Sequence, residues 1–533
     1  MSSLSIANVY NNGRIPENDE ISTTDSEFKI ENPSEEDKSF TFEYIADHDC
    51  NDKITVSDIS FLIDTVLNNS SEVDLYDYSR DGKLTVSDVI QLRNVVLNNM
   101  QVEINTQKLN IQKSKIVGDQ LKYGITDEML DLGIANIGNR AMLANVMKRA
   151  LNGETITIVT LGGSITQGVG ASDFSTPAGA KKSKSELCYA SLVRNWFQYM
   201  FPGKVRFVNA GISGTSSIFG NDRLQTDVLK YNPDFLIVEF AVNDSSALEL
   251  AYSHEALIRR ALKNNCAVLQ LFNTTTGQGL NCGQKTQAPV GELYGIPQIS
   301  TRDAFWGKTY STPDGQFAFN DILADGTHPN DRGYAMYATL INNLLNKTYE
   351  SLNNITFNAP SIPKECYYEQ AEILEGIKLY DPKAVGKLDD KVEVVSLGGF
   401  KPNATATDFL SELTPMYGVY ANPTITSPLV LKVKDCHTAA ILFETRTNGF
   451  YVKVEVWDVT GTTKLSTDNT DSDLQNIHGN GAVRTVTPSY YNFNGEDVLI
   501  KIYPDSARNA NPDKKDAVIT DTSVCIIRQL AIS

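Results

Sequence analysis

Residues 156–345 alternate two hydrophobic rhythms. Short apolar runs, Ile156–Val159, Val205–Val208, Phe235–Ile237 and Ala267–Phe272, have the length and the β-branched or aromatic content of buried strands. Between and after them, Tyr189–Phe197, Glu255–Leu262 and Tyr334–Leu345 repeat apolar residues at helical spacing. Ile137–Ala150 shows the same spacing ahead of the first run, with Gly153 placed to stop it. Strands alternating with helices predict a parallel sheet between two helix layers, a three-layer α/β sandwich. After about residue 360 the rhythm changes. Val392–Leu397, Leu429–Val433, Ala439–Glu444, Tyr451–Trp457, Asp497–Ile502 and Val524–Leu530 read as strands divided by turn residues, which predicts an antiparallel β-sandwich of jelly-roll type.

The strand at Ile156–Val159 runs into Thr160-Leu161-Gly162-Gly163-Ser164-Ile165-Thr166-Gln167-Gly168. Two glycines let the chain turn sharply and leave Ser164 at the carboxyl end of a strand, where open α/β sheets bind ligands. Three further blocks follow in order: Asn209-Ala210-Gly211-Ile212-Ser213-Gly214-Thr215, Val238-Glu239-Phe240-Ala241-Val242-Asn243-Asp244, and Asp325-Gly326-Thr327-His328-Pro329-Asn330. A serine hydroxyl needs a base within hydrogen-bond reach. His328 can be that base, and Asp325, three residues earlier, can hold its imidazole in the productive tautomer.

The four blocks resemble the SGNH hydrolases, also called the GDSL esterase and lipase superfamily, with Ser164, Gly214, Asn243 and His328 at the positions that give the family its name. The resemblance covers roughly residues 131–350 and implies a flavodoxin-like parallel sheet. It implies Ser164, Asp325 and His328 as catalytic residues, and an oxyanion hole of the Ser164 N–H, the Gly214 N–H and the Asn243 amide, with no cofactor for catalysis. Two positions depart from the usual pattern: Gly163 stands where the family has Asp, and Ala241 where it has Gly.

A second pattern is an internal duplication. Asp47–Asp58 recurs as Asp77–Asp88, with oxygen-bearing side chains at positions 1, 3, 5, 9 and 12 of each loop. Calcium takes six to eight oxygens from a chain wrapped around it, and that spacing supplies them. The expected ligands of two ions are Asp47, Asp49, Asn51, Lys53 and Asp58, then Asp77, Ser79, Asp81, Lys83 and Asp88, the lysines standing at position 7, where such loops offer a main-chain carbonyl. Position 6 is Asp52 in one loop and Gly82 in the other. Each loop leads into a helical pattern, Ile59–Leu67 and Val89–Leu97, and no entering helix precedes either. Paired loop–helix units of this kind resemble dockerin modules, the calcium-dependent plugs that bind cohesin domains of cellulosome scaffoldins. The resemblance places Val56, Ser57, Val86 and Ser87 among the partner-reading residues. A generic calcium module with a structural role is the alternative.

At 533 residues the chain is too long for one core. The expected division is a disordered acidic segment at 1–44, a dockerin at 45–100, a linker at 101–130, the hydrolase domain at 131–350, a connector at 351–385 and the β-sandwich at 386–533. The net charge of −18 argues against a nucleic-acid partner and against an anionic membrane surface. No apolar stretch is long enough to span a bilayer, and the first residues show no signal peptide. The cysteines are scattered without a Cys-x-x-Cys pair, so they indicate neither a zinc site nor a disulfide framework. Trp306 is placed either to stack on a sugar or to pack under a loop. In the sandwich, Tyr417, Tyr420, Tyr451, Trp457, Tyr490 and Tyr491 offer aromatic platforms for carbohydrate, or else the domain is a structural one packed on the hydrolase.

These observations lead to the expectation of a secreted, cellulosome-associated serine esterase that removes O-acetyl groups from plant cell-wall polysaccharide. A lipase or thioesterase with the same site is one alternative, and a non-catalytic carbohydrate-binding subunit is another.

Overall fold

A computed structural model describes residues 56–67, 85–174, 185–244, 246–352, 362–402, 418–444, 450–465, 483–486, 495–509 and 525–533, with four short strands before residue 43. The chain divides into two compact units, 1–108 and 109–533.

In the first unit, Glu20–Thr24 pairs antiparallel with Glu27–Glu31, and Val9–Tyr10 with Thr41–Phe42. The acidic composition of this segment reads as disorder, but the local alternation in Glu-Ile-Ser-Thr-Thr and Glu-Phe-Lys-Ile-Glu suits paired strands. Helices α1 (Val56–Leu67) and α2 (Val86–Tyr123) follow the two repeated loops. Leu62 of the first and Leu92 and Val96 of the second form a small apolar core, with Ile59, Val66 and Val89 against it. The α2 helix continues through most of the stretch expected as a linker. Its later turns, from Leu109 onward, belong to the second unit; they bury Gln112 and Ile116, and pack on the last helix of the hydrolase domain through Lys113–Glu350 and a Thr339–Asp119 hydrogen bond of 3.1 Å. The apolar residues of this part of α2 do not all face inward, Ile111, Val117 and Leu121 being exposed, and its stability comes from that packing.

The second unit holds a six-stranded sheet: β1 (Ile134–Asn136), β2 (Ile156–Gly162), β3 (Val205–Gly211), β4 (Phe235–Glu239), β5 (Ala267–Phe272) and β6 (Gln298–Ser300). The order is β1-β6-β5-β4-β2-β3, all parallel except the edge strand β1, which pairs antiparallel with β6. β2, β4 and β5 are buried along their whole length, as strands covered on both faces must be. Alternate residues serve the two layers. Ile156, Ile158, Phe235 and Ile237 pack with α4 (Tyr189–Met200) and α6 (Asp331–Glu350) on one side, and Val159, Leu161, Leu236 and Val238 pack with α5 (Leu248–Lys263) on the other. Helix α3 (Ala141–Leu151) ends at Asn152, next to the expected Gly153 stop. Counted from β2, the parallel strands run in doubly wound order, and the chain reverses direction across the sheet between β2 and β4, the switch point at which such sheets bind ligands.

Beyond residue 378 the chain forms two separate antiparallel sheets. One has the order Lys401–Pro402, Val419–Ala421, Cys525–Ile532, Ala439–Glu444, Val483–Val486, with Lys378–Tyr380 also on Cys525–Ile532. The other has the order Gly386–Lys387, Val392–Ser396, Leu429–Cys436, Glu496–Asn509, Phe450–Asp458. Val394, Leu431, Val454 and Ile500 of the second meet Val419, Ile441 and Ile527 of the first in one core. These sheets are tied to the hydrolase domain. Leu442 and Ala531 share a cluster with Ile212, Phe219 and Ala256, together with Ala371 and Leu374 of the helix Gln370–Glu375, and Glu375 pairs with Arg259 and Lys263 of α5. Among the described residues the six cysteines, Cys188, Cys266, Cys282, Cys366, Cys436 and Cys525, are unpaired, and no helix is long and apolar enough to cross a membrane.

Candidate active site

Three strand ends and one loop converge at the switch point. β2 ends at Gly162, and Ser164 opens a single helical turn, Ser164–Gln167. The turn is held from several sides. The Tyr334 hydroxyl donates to the Ile165 and Val169 carbonyls at 3.1 and 2.6 Å, and Asn209 Nδ2 donates to the Thr166 carbonyl at 2.7 Å. Gln167 Oε1 accepts from the Ser213 N–H at 2.9 Å and the Ser213 hydroxyl at 2.5 Å. The loop after β3 is thereby clamped to the serine turn, one residue before Gly214. Gly214 has φ +67, a left-handed conformation that glycine adopts without strain. The turn after β4, Ala241–Asp244, carries Asn243, and its Asp244 carboxylate accepts from the Ser217 N–H at 2.8 Å and from Gln287 Nε2 at 2.7 Å. Burial and these two donors act in opposite directions on Asp244, and burial prevails, raising it to about 7.

The fourth element is the loop 323–330. Ala324 N–H donates to the His328 carbonyl at 2.7 Å, and Thr276 N–H to the Gly326 carbonyl at 3.0 Å, so the loop is pinned inside and outside its turn. Asn330 caps α6 by accepting from the Gly333 N–H at 3.1 Å. His328 Nε2 lies 2.8 Å from Ser164 Oγ, and His328 Nδ1 lies 2.7 Å from Asp325 Oδ2. The other Asp325 oxygen accepts from the N–H groups of Thr327 and His328 at 3.1 and 2.8 Å. Partial burial alone would raise the Asp325 carboxyl. The donors from His328 and Thr327 outweigh it and hold the group below the ordinary carboxylate range. Ser164 is buried, His328 is largely buried and Asp325 is half exposed.

The geometry thus brings Ser164, His328 and Asp325 into one hydrogen-bonded line and sets Gly214 and Asn243 on the loops flanking the serine. Such an arrangement can pass the serine proton to an imidazole whose other nitrogen is oriented by a carboxylate. It also accounts for the glycine before the serine. A Cβ at Gly163 would lie 2.3 Å from Asn243 Oδ1, so a side chain there would displace the asparagine. Reasoning from sequence did not single out Gln167, Asn209, Asp244 or Glu239, although all lie inside the four blocks. The spacing of polar residues around a glycine turn is their only signal, and it does not say which strands are neighbours. Trp306 is half-buried, with its ring against Gly279, where a Cβ would lie 2.4 Å from it.

The expected calcium ligands Asp47, Asp49, Asn51, Lys53, Asp77, Ser79, Asp81 and Lys83 lie outside the described residues, as does the side chain of Asp58. Asp88 is described: it is buried at the start of α2 and its Oδ2 accepts from the Thr85 N–H at 2.6 Å. Among the described residues no cluster of three or more His, Cys, Asp or Glu is arranged to hold a metal ion. Val56, Ser57, Val86 and Ser87 are all exposed, at the first turns of α1 and α2. In the C-terminal domain, Lys501 Nζ sits 3.9 Å above the Trp457 ring, and Trp457 Nε1 donates to Glu455, so that ring is already engaged. Tyr420 is half-buried, and the side chains of Tyr417, Tyr451, Tyr490 and Tyr491 lie outside the described residues.

Residues 160–336 match the GDSL-like Lipase/Acylhydrolase family, and with this fold and these four blocks the chain carries a GDSL/SGNH hydrolase domain. It is a carboxylic ester hydrolase. No curated protein matches the chain. Among solved structures it is similar to a two-domain esterase (CEX) active on acetylated mannans, with 23% identity and a TM-score of 0.55 over 76% of this chain and 98% of that one. The same esterase co-crystallized with mannopentaose aligns with 23% identity and a TM-score of 0.54, over the same shares of the two chains. A catalytic mutant of Axe2, an acetylxylan esterase from Geobacillus stearothermophilus, aligns over 39% of this chain and 98% of its own, with 15% identity and a TM-score of 0.28. The likeness to the two-domain esterase is one of fold, and its span exceeds what the α/β domain alone occupies.

Proposed function

We propose that the protein removes O-acetyl groups from plant cell-wall polysaccharide by nucleophilic catalysis at Ser164. The observation that carries this reading is the line from Ser164 Oγ through His328 to Asp325, at 2.8 and 2.7 Å. Ser164 attacks the acetyl carbonyl as His328 takes its proton, and Asp325 stabilises the imidazolium. The N–H groups of Ser164 and Gly214 and the Asn243 amide receive the oxyanion. His328 then returns the proton to the leaving sugar hydroxyl, and water releases acetate from the acyl-enzyme. The polysaccharide rests on two supports: the two-domain esterase of the same fold is active on acetylated mannans, and the duplicated loops resemble a dockerin, which delivers its cargo to a wall-degrading complex.

The repeats carry the second part of the proposal. Their donors are hard oxygens in the order a calcium loop needs, and Asp88, at position 12, is a buried carboxylate beside its helix start, which suits Ca²⁺. Asp47, Asp49, Asn51 and Asp58 would hold one ion, and Asp77, Ser79, Asp81 and Asp88 the other, with the carbonyls of Lys53 and Lys83. A cohesin would meet Val56, Ser57, Val86 and Ser87; the two valines are exposed apolar side chains, which suit a protein partner. On this reading the enzyme works outside the cell, attached to a scaffoldin.

Acetate release from acetylated glucomannan, xylan and xyloglucan, beside short- and long-chain nitrophenyl esters, tests the first part, with Ser164→Ala as control. Ser164-dependent acetate from one polysaccharide supports the reading, and turnover confined to long-chain esters overturns it. Calcium titration tests the second. Two ions bound per chain, with Asp47→Ala and Asp77→Ala each losing one, is the expected result.

A further inference from the structure

We propose that Glu239 is a positioning residue that holds the nucleophile turn in place through Thr166. The proposal rests on the reading of Ser164 as nucleophile. Glu239 is the last residue of β4, in register with Gly162 of β2, and is fully buried. Strand alternation turns it toward the layer formed by Ile158, Phe235 and Ile237, so a carboxylate stands where the neighbouring strand positions are apolar. A buried carboxylate without a cation is costly and calls for a reason.

Its contacts supply one. Glu239 Oε2 accepts from the Thr166 hydroxyl at 2.9 Å, and that hydroxyl lies 2.7 Å from the Tyr189 hydroxyl. Thr166 has a single hydroxyl proton and gives it to the carboxylate, so Tyr189 donates to Thr166. The resulting chain, Tyr189 to Thr166 to Glu239, ends two residues from Ser164, and the Thr166 carbonyl is held by Asn209. The second oxygen, Oε1, is buried as well, and Asn273 and the Gly163 N–H face the carboxylate and favour its charged form. The carboxylate is therefore aimed at the serine turn and is not consumed by a structural ion pair.

The groups that face it come from every element around it: Tyr189 on α4, Tyr334 and Tyr337 on α6, Asp244 after β4, Asn273 after β5 and the Gly163 N–H. Burial pushes Glu239 up to about 7, and Asp244 adds to the rise, against the pull of Thr166, Asn273 and Gly163. The ionised form accepts the Thr166 proton, whereas the neutral form carries a proton of its own and loses that preference. Protonation of Glu239 therefore loosens the turn near neutral pH.

The test is the pH profile of kcat/KM for nitrophenyl acetate, from about pH 5 to about pH 8. In the wild type the acid limb includes loss of the Glu239 proton. Glu239→Gln is expected to lower kcat by about ten- to a hundred-fold with little change in KM, and to make the acid limb shallower by removing that proton. Thr166→Val should show the same fall in kcat, and Thr166→Ser, which keeps the hydroxyl, should recover most of it. If Glu239→Gln fails to fold, the two Thr166 variants decide. Wild-type kcat in Glu239→Gln with an unaltered acid limb, or wild-type kcat in Thr166→Val, overturns the proposal while an inactive Ser164→Ala still supports the nucleophile. Activity retained by Ser164→Ala overturns the underlying reading itself.

Discussion

Gly163 and Asn243 occupy a shared space: a Cβ on the glycine would lie 2.3 Å from the asparagine Oδ1. The asparagine end is flexible, so a side chain at 163 moves it and leaves the backbone in place. Gly163→Ala and Gly163→Asp are therefore expected to fold and to lose kcat by about 10²- to 10³-fold, the effect of removing one oxyanion donor. Circular dichroism and initial rates on nitrophenyl acetate check this, and unchanged kcat in both variants refutes it.

Asp325 is half exposed, yet its carboxylate fixes both the His328 ring and the backbone of the loop. Asp325→Asn keeps an oxygen for the two N–H groups and removes the acceptor for the Nδ1 proton. Its kcat should fall by about 10²- to 10⁴-fold. His328→Ala should fall further, and the double variant should be no worse than His328→Ala, because the two act as a unit. Additive losses in rate assays would show that they do not.

Asp222 is buried with neither oxygen hydrogen-bonded, and burial raises its carboxyl to about 8, with Arg260 opposing the rise. Unfolded, the group titrates near about 4. Between those two values the folded chain keeps a proton that the unfolded chain has released, so stability from this group falls as pH rises through that window and levels off above about 8. Asp222→Asn cannot ionise. It should melt at least about 3 °C above the wild type at pH 8 and close to it near pH 5, as calorimetry would record. A variant less stable at both pH values rules the idea out.

The Tyr334 hydroxyl shares its one proton between two carbonyls, Ile165 inside the serine turn and Val169 just beyond it. Tyr334→Phe leaves them unpaired and should cost about 1–3 kcal/mol in urea unfolding, with a fall in kcat smaller than that of Thr166→Val. A loss of rate without loss of stability would mean that the hydroxyl acts on chemistry alone.

Much of the hydrolase domain was legible in one dimension. The runs Ile156–Val159, Phe235–Ile237 and Ala267–Phe272 are hydrophobic on both faces and carry β-branched residues, and each became an interior strand. Local chemistry also placed Asp325 beside His328, since three residues within one turn bring them together whatever the rest of the chain does. The α2 helix was less legible, because Ile111, Val117 and Leu121 of its later turns are exposed and blur the apolar stripe, and these turns depend on contacts with α6. Edge strand β1 was missed for a related reason: three residues carry too little pattern to be read alone.

What only the tertiary structure decided is which residues surround the serine. Ser164 and His328 are 164 positions apart, and their 2.8 Å contact depends on the doubly wound strand order. Glu239 reaches Thr166 because β4 lies beside β2, a neighbour relation that no local periodicity encodes. Hydrophobic rhythm determines what becomes a strand or a helix, because burial acts on each residue's own side chain. The pairing of distant strands, and with it the polar network under the nucleophile, is set by how those elements pack together.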